Sequence, residues 1–171
     1  MCIRDRQYRT QEKIEVEGTE ITFLVSDFFR GTLLSERLAE QPGQRFHVYE
    51  AVHLLHALAK GVERIHRCGE FHGQLSVDNI AVQRSGLEFD IKIIGLGASN
   101  KESGCSKSEG MRHDVLDMLL VFYRIIGGRR TYSKLPIEVR RLCCGLKHTS
   151  IFERYRNAGD LRAAVENIGW K

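Results

Sequence analysis

The spacing of apolar residues changes several times along the chain, and each change predicts an element. Lys13–Glu17 and Thr19–Ser26 are short β-prone runs with Glu17-Gly18 between them, which predicts a strand hairpin. From Arg45 to Arg67 the period lengthens. Ala51, Leu55, Leu58, Val62 and Ile65 recur at steps of four and three, one stripe of a long amphipathic helix. Cys68-Gly69 ends it, with the glycine near the position after a helix where a left-handed backbone is favoured. Two short apolar runs, Asn79–Gln83 and Phe89–Ile94, are joined through Ser85-Gly86 and predict a second hairpin. Ala98–Gly110 holds almost no apolar residue and predicts a loop. Asp114 then caps a helix to Ile126 that is apolar nearly all round, as a helix in the middle of a core is, and Gly127-Gly128 stops it. Pro136 opens a further helix through Leu146, and a last one covers Ala158 to Ile168. No internal repeat interrupts this order of hairpin, long helix, hairpin, buried helix and further helices. The fold class it predicts is α+β, mostly α.

Composition narrows the picture. The 171 residues are 42% apolar and 28% charged, which excludes overall disorder. A chain of this length buries roughly 70% of its unfolded surface and needs neither metal nor disulfide to hold a core. Lys and Arg outnumber Asp and Glu by 26 to 22, with the two signs interspersed. Arg129-Arg130 and Arg140-Arg141 read as solvated helix faces, and no nucleic-acid partner is expected. Five cysteines, an odd number without a C-x-x-C, predict reduced thiols and a cytoplasmic protein. Cys143 and Cys144 read as small packing residues. His53 and His56 read as polar-face residues, since no third ligand has zinc spacing. The most apolar stretch, Val115–Ile126, is too short to span a bilayer and is broken by Asp117 and Arg124, so no membrane association is expected. Residues 1–11 are polar, fit no following element, and are set aside as a leader or unassigned stretch.

Five segments, in order, resemble the protein kinase family. Phe23–Leu38 (FLVSDFFRGTLLSERL) is similar to the last strand of the small lobe, the hinge and the short helix after it. Ile65–Ile80 (IHRCGEFHGQLSVDNI) is similar to a helix end and the catalytic loop, and Ile91–Gly97 (IKIIGLG) to the strand leading into the magnesium-binding motif. Asp114–Gly128 (DVLDMLLVFYRIIGG) resembles the buried helix that anchors the large lobe, and Arg154–Leu161 (RYRNAGDL) the Arg-containing entry to the last helix. The resemblance implies a kinase-like fold with a helical large lobe at 31–169 and a truncated small-lobe strand pair with the hinge at 12–30. It implies that Asp27, Phe28 and Phe29, with Ala81 and Ile94, form the adenine side. His72 is implied to be a packed histidine beneath the metal motif, held by Asp114, with Leu96 in the phenylalanine place. Arg154 is implied to pair with a glutamate of an activation segment, for which Glu109 is a candidate.

The departures from the family bear on chemistry. Phosphoryl transfer needs held phosphates, Mg²⁺ to neutralise them and a carboxylate beside the acceptor hydroxyl. The catalytic-loop pattern H-R-D-L-x-x-x-N reads His72-Gly73-Gln74-Leu75-Ser76-Val77-Asp78-Asn79, so Gln74 stands at the carboxylate position. A neutral amide lacks the basicity to accept that proton. The metal motif D-F-G reads Gly95-Leu96-Gly97, so the main magnesium carboxylate is a glycine. Asn79 alone is a weak magnesium ligand. Asp78 matches an acidic residue common just before that Asn, a structural one, and Asp90 lies too far back on its strand to substitute. The stretch before Asp27 is too short for a Gly-rich loop, a lysine-bearing strand and a glutamate-bearing helix, and only sixteen residues separate Gly97 from Asp114.

The expected function is therefore that of a catalytically inactive kinase-like domain, a pseudokinase, serving as a binding or regulatory module for a protein partner. No cofactor is expected; ATP, with or without Mg²⁺, is the alternative. One alternative function is an active phosphotransferase with displaced machinery or with its small lobe encoded upstream. The other is a truncated gene fragment, whose exposed hinge-side surface would promote association.

Overall fold

The computed structural model describes residues 8–26, 28–86, 88–95 and 106–169. The first hairpin pairs β1 (Tyr8–Val16) with β2 (Thr19–Ser26) in antiparallel register, Ile14 opposite Ile21 and Val16 opposite Thr19. Glu17 and Gly18 both have positive φ, 51° and 78°, the conformation a two-residue hairpin turn requires. The strand starts at Tyr8, inside the stretch set aside as unassigned, because ladder pairing with β2 extends it beyond its apolar pattern.

A second antiparallel sheet has the order β3–β4–β5, from Thr32–Leu33, Ile80–Ser85 and Glu88–Ile93. The two-residue β3 is too short to leave a periodic signal; it pairs Leu33 with Ala81 and Thr32 with Val82. Directly after it, α1 (Leu34–Glu40) buries Leu34 and Leu38. The long helix α2 runs from Val48 to Arg67, its first turn capped by the His47 ring, which accepts from the Tyr49 N–H. The stripe read from sequence is the buried one: Ala51, Leu55, Leu58 and Val62 are at most 1% exposed.

The helix α3 (Lys107–Ile125) starts nearly two turns before Asp114, where a loop was expected. Ser106 is its cap. The Ser106 hydroxyl accepts from the Glu109 N–H at 3.3 Å, and the Glu109 carboxylate accepts the Ser106 N–H at 3.0 Å, a reciprocal capping box. Asp114 therefore lies inside the helix and caps nothing at its start. Val115, Met118, Leu119, Phe122 and Ile125 are fully buried, whereas Leu120 is 43% exposed and Arg124 also faces out. The helix is thus covered on most sides but keeps a narrow outer stripe.

After the left-handed Gly127 and Gly128 come four short helices: α4 (Arg129–Tyr132), α5 (Ile137–Leu142), α6 (His148–Arg154) and α7 (Ala158–Glu166). Pro136 does precede a helix, but this ends at Leu142 and is followed by a 3₁₀ turn at Cys144–Leu146, in which Gly145 (φ 65°) cannot continue an α-helix. Cys143 is fully buried, and burial, with Cys144 beside it, pushes its thiol up to about 12, as expected of a packing residue. Tyr155, 1% exposed, donates its hydroxyl to the Leu142 carbonyl at 3.0 Å. Asn157 caps α7 through the N–H groups of Gly159 and Asp160.

One apolar core joins these elements, with α2 packed between α3 and α7 and the β4–β5 hairpin laid along it. Arg162 of α7 fastens the polar side, donating to Glu63 of α2 at 2.7 Å and to Glu166, which also meets His56 at 2.9 Å. No helix among the described residues is long and apolar enough to cross a membrane. Truncating Phe122 to Ala is expected to cost about 3–5 kcal/mol in denaturant unfolding. Leu120→Ala, on the outer stripe of the same helix, should stay within about 0.5 kcal/mol.

Candidate functional site

The chain leaves α2 at Cys68 and turns through Gly69 (φ 73°) into an irregular segment that ends where β4 begins. Phe71 seats this segment on α3. A Cβ at Gly110 would lie 2.5 Å from the Phe71 ring, so only glycine permits this approach. The next residues hang from one side chain. Asp114, with no exposed surface, accepts the His72 N–H through Oδ2 and the Gly73 N–H through Oδ1, both at 2.7 Å. Its Oδ2 also meets His66 Nε2 at 3.0 Å. The His66 Nδ1 accepts the Ala158 N–H at 3.0 Å, which fixes Nε2 as the protonated nitrogen and the donor to Asp114. One helical turn on, Asp117 accepts the Leu75 N–H at 3.2 Å.

His72 is 1% exposed, and its two ring nitrogens have distinct duties. Nδ1 accepts the Gln74 N–H at 3.3 Å, so Nε2 carries the proton and donates to the Ile94 carbonyl at 3.1 Å. Burial holds this imidazole below its ordinary pKa. Asn79 closes the segment on itself. Its Oδ1 accepts the Ser76 N–H at 2.9 Å, its Nδ2 donates to the Gln74 carbonyl, and its own carbonyl accepts the Ile94 N–H at 2.8 Å. The Gln74 side chain faces solvent, and so does Asp78. Gly95 has φ 83°, with open space where a Cβ would stand.

No protein-family model and no curated protein matches the chain. Solved structures do. A crystal structure of the Mycobacterium tuberculosis PknI kinase domain, a double mutant, superposes with TM-score 0.68 at 14% identity, covering 97% of this chain and 71% of that one. A second double mutant of the same domain gives 0.61 at 13% identity, covering 97% and 70%. This is a protein kinase-like fold.

Within that kinase-like fold, the structure brings His72, Gln74, Asn79, Ile94 and Asp114 together through hydrogen bonds, with Gly95 next to Ile94. His72 is packed and hydrogen-bonded, and Asp114 holds its backbone. The hinge residues are less unified. Phe28 is 88% exposed, Phe29 folds back on Gly31, and Ala81 is buried in β4. Asp27 and Leu96 lie outside the described residues. Arg154 donates to the Arg141 carbonyl at 2.6 Å and lies 5.2 Å from the Tyr155 ring centre, while Glu109 serves the α3 cap. Sequence reading missed Asp117, His66 and Ser106. The signals were present: a carboxylate in an apolar helix, a histidine at the end of a buried stripe, and Ser-x-x-Glu ahead of an apolar run.

Magnesium, which the resemblance implies, does not fit the described residues. Gly95 offers no side chain, and both polar groups of the Asn79 amide are engaged with the loop backbone. Among the described residues no group of three or more His, Cys, Asp or Glu could hold a metal ion.

The two acids of α3 differ electrostatically. Burial, reinforced by Asp114, raises the Asp117 carboxyl to about 6, against the opposing pull of the Leu75 N–H and His113. The folded chain thus holds this proton to higher pH than the unfolded chain does. The associated stability is fully present below about pH 4 and is lost as pH rises through about 6. Asp117→Asn keeps an acceptor for the Leu75 N–H without the charge. It should flatten this slope and raise stability near pH 7 by about 1–2 kcal/mol. The same exchange at Asp114 should cost about 3 kcal/mol or more, since an amide oxygen cannot serve three donors. Denaturant unfolding of both variants between pH 4 and 8 checks the opposite signs.

Proposed function

We propose that the chain is a catalytically silent kinase-like module that acts by binding a protein partner. One observation carries this reading: the loop is held by a network of buried hydrogen bonds, yet the two positions where the family has carboxylates are occupied by Gln74 and Gly95. A positioned general base contributes about 10²–10⁴-fold to a proton-transfer step, and an amide supplies none of it. Gly95 removes the ligand that would anchor the metal beside the phosphates, whose charge must be neutralised for transfer to occur. Asn79, a family-matching polar side chain, serves the loop: its two hydrogen bonds staple Gln74 and Ser76. His72 likewise ties the loop to Ile94 and, buried with its proton fixed on Nε2, faces no substrate.

Both substitutions remove charge and leave the scaffold in place. A chain selected for shape keeps the buried Asp114 and the packed His72, and loses only what the reaction needs. On this reading the module works in the cytoplasm, needs no cofactor, and transmits regulation through contact.

Purified protein incubated with labelled ATP and Mg²⁺, alone and with generic protein substrates, should give no phosphotransfer or ADP release above that of Asn79→Ala. Thermal shift should show no Mg²⁺-dependent stabilisation by ATP. Robust turnover that Asn79→Ala or Gln74→Ala abolishes would overturn the reading.

A further inference from the structure

Basic charge is not spread evenly. Residues 124–156 hold nine Lys and Arg against two Asp and Glu, a surplus of seven, whereas the rest of the chain, 17 against 20, is acidic. At the edge of this stretch a groove of about 480 Å³ runs between the segment leading into α2 and the segment joining α4 to α5. Its floor is apolar: Phe46 and Leu135 are buried and Val48 is half-buried. Pro42 and Pro136, the two prolines of the chain, stand exposed along it. Exposed Arg45 and Lys134 supply positive charge at its rim. The acidic lining residue, Glu50, is turned to Arg84 at 2.7 Å.

The walls are tied together without a ligand. The Phe46 N–H donates to the Ile125 carbonyl at 2.7 Å, and Arg45 Nη1 donates to Thr131 Oγ1 at 3.4 Å, joining the two sides. Gly127 makes this possible: a Cβ there would lie 2.7 Å from Thr131 Oγ1 and 3.3 Å from Arg45 Cδ. A pre-formed groove with proline shoulders spends little ordering entropy on binding. None of the residues of the 72–79 loop lines it, so it does not depend on the reading of the catalytic loop.

We propose that this groove is a docking site for an acidic peptide segment of a protein partner, one bulky apolar side chain seated on Phe46, Val48 and Leu135 and flanking carboxylates paired with Arg45 and Lys134. Volume favours one anchored side chain with its neighbours, in the range of ligand pockets. The local charge selects the sign of the partner, and the apolar floor selects a peptide over a polyanion that carries charge alone.

The test is fluorescence anisotropy with a labelled eight-residue peptide of Asp and Glu bearing a central leucine. Binding in the micromolar to sub-millimolar range is expected, weakened about tenfold or more by Lys134→Glu or Arg45→Glu. Replacing the peptide's leucine by serine should weaken it by a similar factor, with the protein itself unchanged. Lys147→Glu, an exposed change in the same basic stretch but outside the groove, should have little effect. Four results would overturn the proposal: no binding up to about 1 mM, equal binding of the serine peptide, an equal loss on Lys147→Glu, or equally effective competition by an oligouridine of the same charge.

Discussion

The buried carboxylate of Asp114 is the interaction on which the rest of the architecture rests. A carboxylate removed from water is costly unless its oxygens find donors, and this one finds three. Two come from consecutive backbone amides at His72 and Gly73, the third from His66. His66 in turn takes the amide of Ala158 at the start of α7. One side chain on α3 thus fixes the end of α2, the loop that follows it and, through an imidazole, the entry to the last helix. These are segments far apart in sequence, and no periodic pattern could bring them to one point.

This explains which parts of the fold were legible in the sequence. Where burial repeats with a helical period, as at Ala51, Leu55, Leu58 and Val62, apolar spacing reports the core directly. Where an element is specified by polar chemistry, the apolar pattern is silent. The first turns of α3 carry Lys107, Ser108 and Glu109, so their helix is declared only by the Ser106 cap. In α6, Ile151 is the one buried residue, and α4 buries none of its four, so neither has an apolar stripe to read. Likeness to a family pointed to the loop residue by residue, at His72, Gln74, Asn79 and Gly95, and the packing of His72 and the Asn79 staple are what the structure adds there. Asp117 escaped because it matches nothing in that pattern; its role follows only from the loop lying across it.

The loop also separates two properties that enzymes usually combine. Its geometry is maintained by backbone amides, two imidazoles and two acids of α3, whereas its reactivity would require side chains that project from it. Gln74 and Gly95 alter the second set and leave the first untouched. The groups that stabilise the scaffold are thus not the side chains at positions 74 and 95.

Asp117 gives this separation a direction. Its carboxyl is already held near 6 by burial and by Asp114, in contact with the residue that follows Gln74. A carboxylate at position 74 would add negative charge to a neighbourhood where an acid is already reluctant to ionise against the pull of the Leu75 N–H and His113. The neutral, solvent-facing amide at 74 adds no such charge and leaves the Asp117 proton where burial and Asp114 set it.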